Sequence, residues 1–147
     1  MSSGQFSGRA RGAVWDVDGT LVDTAELHFQ AWVRFMAEEG RPYTRADFVR
    51  GFGRRNPEIL PELFGEELAE ERMREMAERK ERYYREVARS GLELLPGAAG
   101  MIDALESAGW RQAIGSSGPA VNVALILELT GVAPSTEPLV PCWIARL

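Results

Sequence analysis

The chain has 147 residues, a formal net charge of -5 at pH 7, and apolar and charged fractions of 45% and 27%. That describes one ordinary globular domain, or a small core with an inserted module, and its mild acidity gives no case for a nucleic-acid partner. The single cysteine, Cys142, excludes an internal disulfide and a cysteine-based zinc site, and no apolar leader opens the sequence. The most apolar run, VNVALILELTGV, is too short to span a bilayer and contains Glu128. The resulting expectation is a cytoplasmic monomer with no membrane partner.

Residues 1–11 are rich in Gly, Ser and Arg and read as a disordered tail. GAVWD, 12–16, is a short apolar run bounded by Gly19 and predicts a buried strand. Asp23 opens DTAE, an N-cap with an acidic residue three positions on. A helix from about Thr24 to Glu39 follows, closed by Gly40, with Leu27, Ala31, Trp32 and Phe35 at helical spacing. TRAD, 44–47, caps a short helix through Arg50. GFGRRNPE, 51–58, reads as a loop, with a short helix to Phe64 after it.

Glu66 to Ser90 predicts a long charged helix with Gly91 as its C-cap. Its Glu and Arg residues form a solvated face, on which Lys80, the only lysine, is also placed. LLPGAAGMIDALESAG, 94–109, makes a turn and then a helix. WRQAIGSS, 110–117, is a second strand running into a small-residue turn, and 119–131 forms another helix. This order predicts an α/β fold: a parallel-sheet core, residues 12–24 and 92–147, interrupted by helices over 25–91. The tail, 133–147, holds three prolines and lacks a strand-helix rhythm, so the core is expected to be incomplete, through truncation or a frameshift.

The chemistry concentrates in DVDGT. A strand ending at Asp16 puts that carboxylate at the carboxyl end of a parallel strand, where α/β proteins bind ligands. Asp18 lies in the turn beyond, Gly19 lets the backbone turn closely, and Thr20 offers a hydroxyl. Backbone N–H groups in such a turn can receive phosphate oxygens. Two close carboxylates need a cation, or one must hold a proton. Mg²⁺ bridges carboxylate and phosphate, an aspartate can attack phosphorus, and a neighbouring carboxyl can act as general acid and base. A bare DxD pair is more often an exposed turn; the preceding apolar strand is what lends this one weight.

DVDGTLVDT resembles the first motif of the haloacid-dehalogenase-like (HAD) hydrolases, and DTAELHFQAW, 23–32, is similar to β-phosphoglucomutases and sugar-phosphate phosphatases with a helical cap. The likeness runs from about residue 12 to residue 132. It implies a HAD-like Rossmannoid core with an inserted α-helical cap over 25–91. It implies Asp16 as nucleophile, Asp18 as acid/base, and Mg²⁺ held by Asp16 and the Asp18 carbonyl. Ser116, with Ser117 beside it, matches the second motif and would bind phosphate along with Gly19 and Thr20. His28 would face the site from the cap and bond the substrate or Asp18. Arg54 aligns with a cap arginine that grips a second phosphate, though Arg54 or Arg55 as plain loop charge is an equal alternative.

Two family features have no match. No lysine follows Lys80, and the arginines downstream are Arg111 and Arg146. Beyond Arg111 and before the tail, Glu128 in a predicted helix is the only acidic residue, so a late acidic pair is missing. The functional expectation is a magnesium-dependent phosphatase acting on a small phosphorylated metabolite, such as a sugar phosphate, through an aspartyl-phosphate. The alternatives are a β-phosphoglucomutase, an inactive truncated remnant that still holds phosphate, and a half-site completed by a partner chain.

Overall fold

The computed structural model describes residues 11–65, 68–132 and 140–141, so the expected tail over 1–11 lies outside it apart from Arg11. The apolar run forms β1 (Gly12–Trp15), which pairs in parallel with β2 (Arg111–Ser116), Ala13 opposite Gln112 and Trp15 opposite Ile114. A third strand, β3 (Val140–Pro141), pairs in parallel with β2, Gly115 opposite Val140, giving the sheet order β1-β2-β3. β3 is a two-residue strand within the expected irregular tail. Its proline sits at a sheet edge, where a missing N–H is tolerated.

The helices between β1 and β2 are α1 (Ala25–Glu38), α2 (Arg45–Gly51), α3 (Asn56–Phe64), α4 (Glu70–Ala88) and α5 (Ala98–Ser107); α6 (Ala120–Thr130) follows β2. The expected α/β order with a parallel sheet and an intervening run of helices is therefore observed. Among the described residues, no helix is long and apolar enough to cross a membrane.

One face of the sheet is buried and the other is not. Alternate residues of β2, Gln112, Ile114 and Ser116, point into the protein. On the opposite face Val14 is 73% exposed, which corrects the expectation of a wholly buried first strand. The core runs from the buried Val17, Leu21, Val22, Ile114, Val123 and Ile126 to the α1–α4 seam. There Ala31, Trp32, Phe35 and Met36 of α1 meet Met76, Tyr83 and Tyr84 of α4. Trp32 and Phe35 are edge-to-face at 5.8 Å.

Helix boundaries follow local chemistry. The expected cap at 44–47 is a capping box: the Thr44 hydroxyl accepts from the Asp47 N–H, and the Asp47 carboxylate accepts from the Thr44 N–H. α3 starts at Asn56 with Pro57 in its first turn, so the expected loop over 51–58 shrinks to a few residues. α4 is shorter than expected, Glu70–Ala88, with Arg89 as C-cap rather than Gly91. The cap of α1 is also different. Thr24 is the N-cap residue, yet its hydroxyl makes no bond to the helix, while Asp23 accepts the Ala25 N–H at 3.1 Å. Glu26 turns to Arg45 at 2.7 Å instead of closing a box.

Phe35 is fully buried, so Phe35→Ala should cost about 3–5 kcal/mol in urea unfolding. Val14→Ala, on the open sheet face, should stay within about 0.5 kcal/mol.

Candidate active site

Beyond Trp15 the chain folds back on itself within a few residues. The Val17 carbonyl accepts the amides of Thr20, Leu21 and Val22 at 3.3, 3.0 and 3.2 Å, and the Gly19 N–H donates to the Val22 carbonyl at 2.8 Å. Gly19 has φ 76°, a left-handed conformation that a side chain would strain. Val17, Leu21 and Val22 are buried and anchor this turn, which leaves Asp16 and Asp18 facing solvent at the strand tip.

Asp16 accepts its neighbour's amide, Val17 N–H to Oδ1, at 2.8 Å. Asp18 Oδ1 accepts the Thr24 hydroxyl at 2.5 Å and lies 3.7 Å from His28 Nε2. The missing α1 cap bond is thereby explained: Thr24 gives its hydroxyl to Asp18. Partial burial pushes the Asp18 carboxyl up, but the His28 ring beside it and the Thr24 hydroxyl outweigh that and hold the pKa below its ordinary value.

His28 stacks on Tyr84, ring centroids 4.2 Å apart and planes 14° from parallel. Its Nδ1 is 2.8 Å from Lys80 Nζ. An ammonium can only donate, so Nδ1 accepts and the ring proton sits on Nε2, the nitrogen that faces Asp18. Burial first, then the Lys80 charge, hold the His28 pKa below its ordinary value against the pull of Asp18 and Glu81.

Lys80 is 2% exposed, which corrects its placement on a solvated face. It falls on the inward stripe of α4 with Met76, Tyr84 and Ala88. Its ammonium pairs with Glu81 Oε1 at 2.9 Å and lies 5.4 Å from the Trp32 ring centroid. Burial lowers the Lys80 pKa, while Glu81 and Asp18 oppose that. Glu81 also accepts from Asn56 at 2.7 Å and from Asn122 at 2.6 Å. Burial pushes the Glu81 carboxyl up, but the Lys80 charge and the bonds from Lys80 and Asn56 hold it below its ordinary value.

The loop after β2 meets the turn after β1. Ser116 is 9% exposed, and its Oγ accepts the Gly118 N–H at 3.1 Å. A methyl group on Gly118 would lie 3.3 Å from Ser116 Oγ and 3.8 Å from Asp18 Oδ2. Both loops thus converge at the carboxyl end of the parallel pair, where α/β sheets present ligands.

A cleft of about 830 Å³ opens there. Asp16, Asp18, Gly19, Ser117 and Gly118 line it at the strand tips; His28, Lys80 and Trp32 line it from the helices. Of the residues expected at the site, Asp16, Asp18, Gly19, His28, Arg54 and Ser117 come together in this lining, while Thr20 and Ser116 stand just outside it. Arg54 reaches the cleft with its fork occupied: Nη1 and Nη2 donate to Glu62 at 2.8 and 2.6 Å, and Nη2 also donates to the Glu58 carbonyl. Arg55 pairs with Glu58 at 3.0 Å. Arg111 starts β2 opposite Gly12, at the other end of the sheet from Asp16; Arg146 lies outside the described residues.

Asp16 and Asp18 offer only oxygen donors, which fits a hard cation that completes its shell with water and phosphate. Among the described residues no group of three His, Cys, Asp or Glu forms a fuller site. Thr24, Glu81, Asn56 and Asn122 are the site residues that sequence reasoning missed, and Lys80 is the one it placed on the wrong face.

Residues 10–140 match the haloacid dehalogenase-like hydrolases, and the chain belongs to that family. It is 31% identical over 125 residues to a phosphoglycolate phosphatase from Cereibacter sphaeroides, covering 82% of this chain and 57% of that one. It is 29% identical over 132 residues to protein CbbY from Rhodobacter capsulatus, covering 84% and 58%. The chain thus spans little more than half the length of these relatives. Among solved structures, a family IA HAD hydrolase from Entamoeba histolytica superposes with TM-score 0.75 at 25% identity, covering 82% of this chain and 55% of that one. The β-phosphoglucomutase of Clostridium difficile shares the fold with TM-score 0.74 at 23% identity, covering 94% and 64%.

Lys80→Met should destabilise the protein by about 3–5 kcal/mol, because it leaves the Glu81 carboxylate buried without a counter-charge. Lys80→Met combined with Glu81→Gln should recover the part of that loss that comes from the unpaired charge, in the same urea titration. The depressed Glu81 pKa contributes stability that is present above the ordinary glutamate range, about 4.3, and is lost as pH falls through the lower folded value. Glu81→Gln should therefore flatten the acid side of the stability–pH curve; an unchanged slope would remove Glu81 from the account.

Proposed function

We propose that the site performs Mg²⁺-dependent phosphoryl transfer from a small phosphorylated metabolite, a sugar phosphate being the leading class, to Asp16 and then to water. The observation that carries this reading is the convergence of Asp16, Asp18 and the Ser116–Gly118 loop on one cleft. The relatives named phosphoglycolate phosphatase, and a CbbY structure from Rhodobacter sphaeroides with xylulose-(1,5)bisphosphate bound, support small phosphorylated substrates.

Asp16 attacks phosphorus, the bond to the leaving oxygen breaks, and that oxygen takes a proton from Asp18. Asp18 is held ionised at rest by Thr24 and His28. An arriving phosphate dianion raises its pKa by like-charge repulsion, so that Asp18 takes from solvent the proton it then donates. In the second step Asp18 accepts a proton from the water that attacks phosphorus and frees Asp16. Ser116 and Ser117, with the amides near Gly19 and Thr20, hold phosphate oxygens, and His28 steadies Asp18. Asp16 and the Asp18 carbonyl would hold Mg²⁺, which supplies charge neutralisation at the transferring group. The helices over 25–91 act as a cap above the core. Arg54 serves a second phosphate only if that phosphate displaces Glu62.

The mutase alternative differs in its acceptor, a second sugar hydroxyl in place of water. The second reading is a phosphate-binding protein without turnover. It draws on the two-carboxylate donor set, which lacks a third acidic group among the described residues.

Wild-type protein should hydrolyse p-nitrophenyl phosphate with Mg²⁺, and chelation should stop it. Asp16→Asn should lower the rate on the order of 10³-fold or more while leaving the fold intact by circular dichroism. Folded wild type that binds phosphate without hydrolysis would favour the second reading. Activity confined to β-glucose 1-phosphate with a bisphosphate primer would favour the mutase.

A further inference from the structure

Glu81 stands apart from the phosphoryl-transfer residues, yet it gathers groups from three helices. It is 5% exposed. Its Oε1 accepts from Lys80 Nζ at 2.9 Å, on the same helix, and from Asn56 Nδ2 at 2.7 Å, at the start of α3. Its Oε2 accepts from Asn122 Nδ2 at 2.6 Å, in the first turn of α6. Asn122 is 4% exposed, and its Oδ1 accepts from Arg85 Nη1 at 2.9 Å. Arg85 in turn donates to Glu78 at 2.5 Å. Every polar atom of Glu81 and Asn122 named here has a partner, which is what a buried polar cluster requires to be a specific joint.

We propose that Glu81 and Asn122 are positioning residues: together they seat the Lys80 ammonium on His28 Nδ1, and so fix which ring nitrogen presents its proton to Asp18. Asn122 makes that setting depend on α6, the helix that leaves the Ser116–Gly118 loop. The joint works through its polarity. Glu81 only accepts, and Asn122 gives a donor to Glu81 and an acceptor to Arg85.

That polarity can be exchanged. In Glu81→Gln with Asn122→Asp, the new amide oxygen takes the place of Oε1, under Lys80 and Asn56. The new amide nitrogen takes the place of Oε2 and donates to the new carboxylate, whose other oxygen accepts from Arg85. Each contact keeps one donor and one acceptor, and the net charge is unchanged. Either substitution alone breaks the pattern. Asn122→Asp sets two carboxylates face to face. Glu81→Gln forces a donor against a donor, either at Asn122 or at Lys80 and Asn56.

His28 is the only histidine in the chain, so its ring nitrogens are assigned without further variants. The test is a two-bond ¹⁵N–¹H spectrum at one neutral pH. Wild type should show the widely split nitrogen pair of an Nε2–H ring. Asn122→Asp and Glu81→Gln should each lose that split toward an averaged pair, and the double variant should regain it. Should Asn122→Asp fail to fold, Asn122→Ser removes the same bond without adding charge and is expected to lose the split. A folded single variant that keeps the full wild-type split overturns the proposal, as does a folded double variant with an averaged pair. The inference rests on the site described above, but its readout is independent of turnover. A chain that hydrolyses nothing yet loses and regains the split supports the joint and refutes only the proposed reaction.

Discussion

The buried ammonium of Lys80 is the constraint on which the site depends. Desolvating a charge costs several kcal/mol, and a neighbouring carboxylate offsets that only when hydrogen bonds satisfy the remaining atoms of both groups. Here Glu81 supplies the counter-charge, and Asn56 and Asn122 satisfy the carboxylate. His28 Nδ1 accepts a hydrogen bond from the ammonium. The Trp32 and Tyr84 rings close around it at 5.4 and 5.8 Å. These contacts fix α4 against α1 at one register, and His28 leaves α1 directed at Asp18.

The other half of the site is built by backbone. The Val17 carbonyl gathers three amides, Gly19 takes a left-handed conformation, and the apolar anchors Val17, Leu21 and Val22 are buried. The carboxylates of this turn have no apolar environment left to enter. Parallel pairing of β1 with β2 then brings the Ser116–Gly118 loop to the same edge. Backbone and helix chemistry meet at Asp18. Its Oδ1 belongs to Thr24 and His28, and its Oδ2 faces the Gly118 side.

Much of this was legible in the sequence, for identifiable reasons. GAVWD and WRQAIGSS read as strands because they are short, largely apolar and bounded by Gly or Ser. The α1 stripe and the Thr44 capping box follow rules that act within one or two turns of chain. DVDGT carried its resemblance because a strand, two carboxylates and a turn glycine coincide in five residues. What failed was long-range. Lys80 reads as one more charge on a charged helix, although it stands four residues after Met76 and four before Tyr84, on the buried stripe. It was also the sole lysine of a chain that otherwise uses arginine, and a compact ammonium fits a slot that a guanidinium fork does not. Asn122 sits inside an apolar run, where a polar residue is either exposed or specifically paired. Its partner Glu81 lies 41 positions away and could not be inferred. The diversion of Thr24 from helix cap to Asp18 depends on a turn whose shape is set by burial of Leu21. The β3 pairing joins residues whose local pattern gave no strand signal.

The central claim is that Asp16 becomes covalently phosphorylated. The direct measurement is mass spectrometry of protein mixed with a phosphoryl donor and Mg²⁺, then quenched in acid within the first turnover. The account predicts phosphate on the peptide that contains Asp16, absent when the donor is left out. Folded protein that releases phosphate without ever carrying it at Asp16, or that carries it on Ser116 instead, would contradict the account.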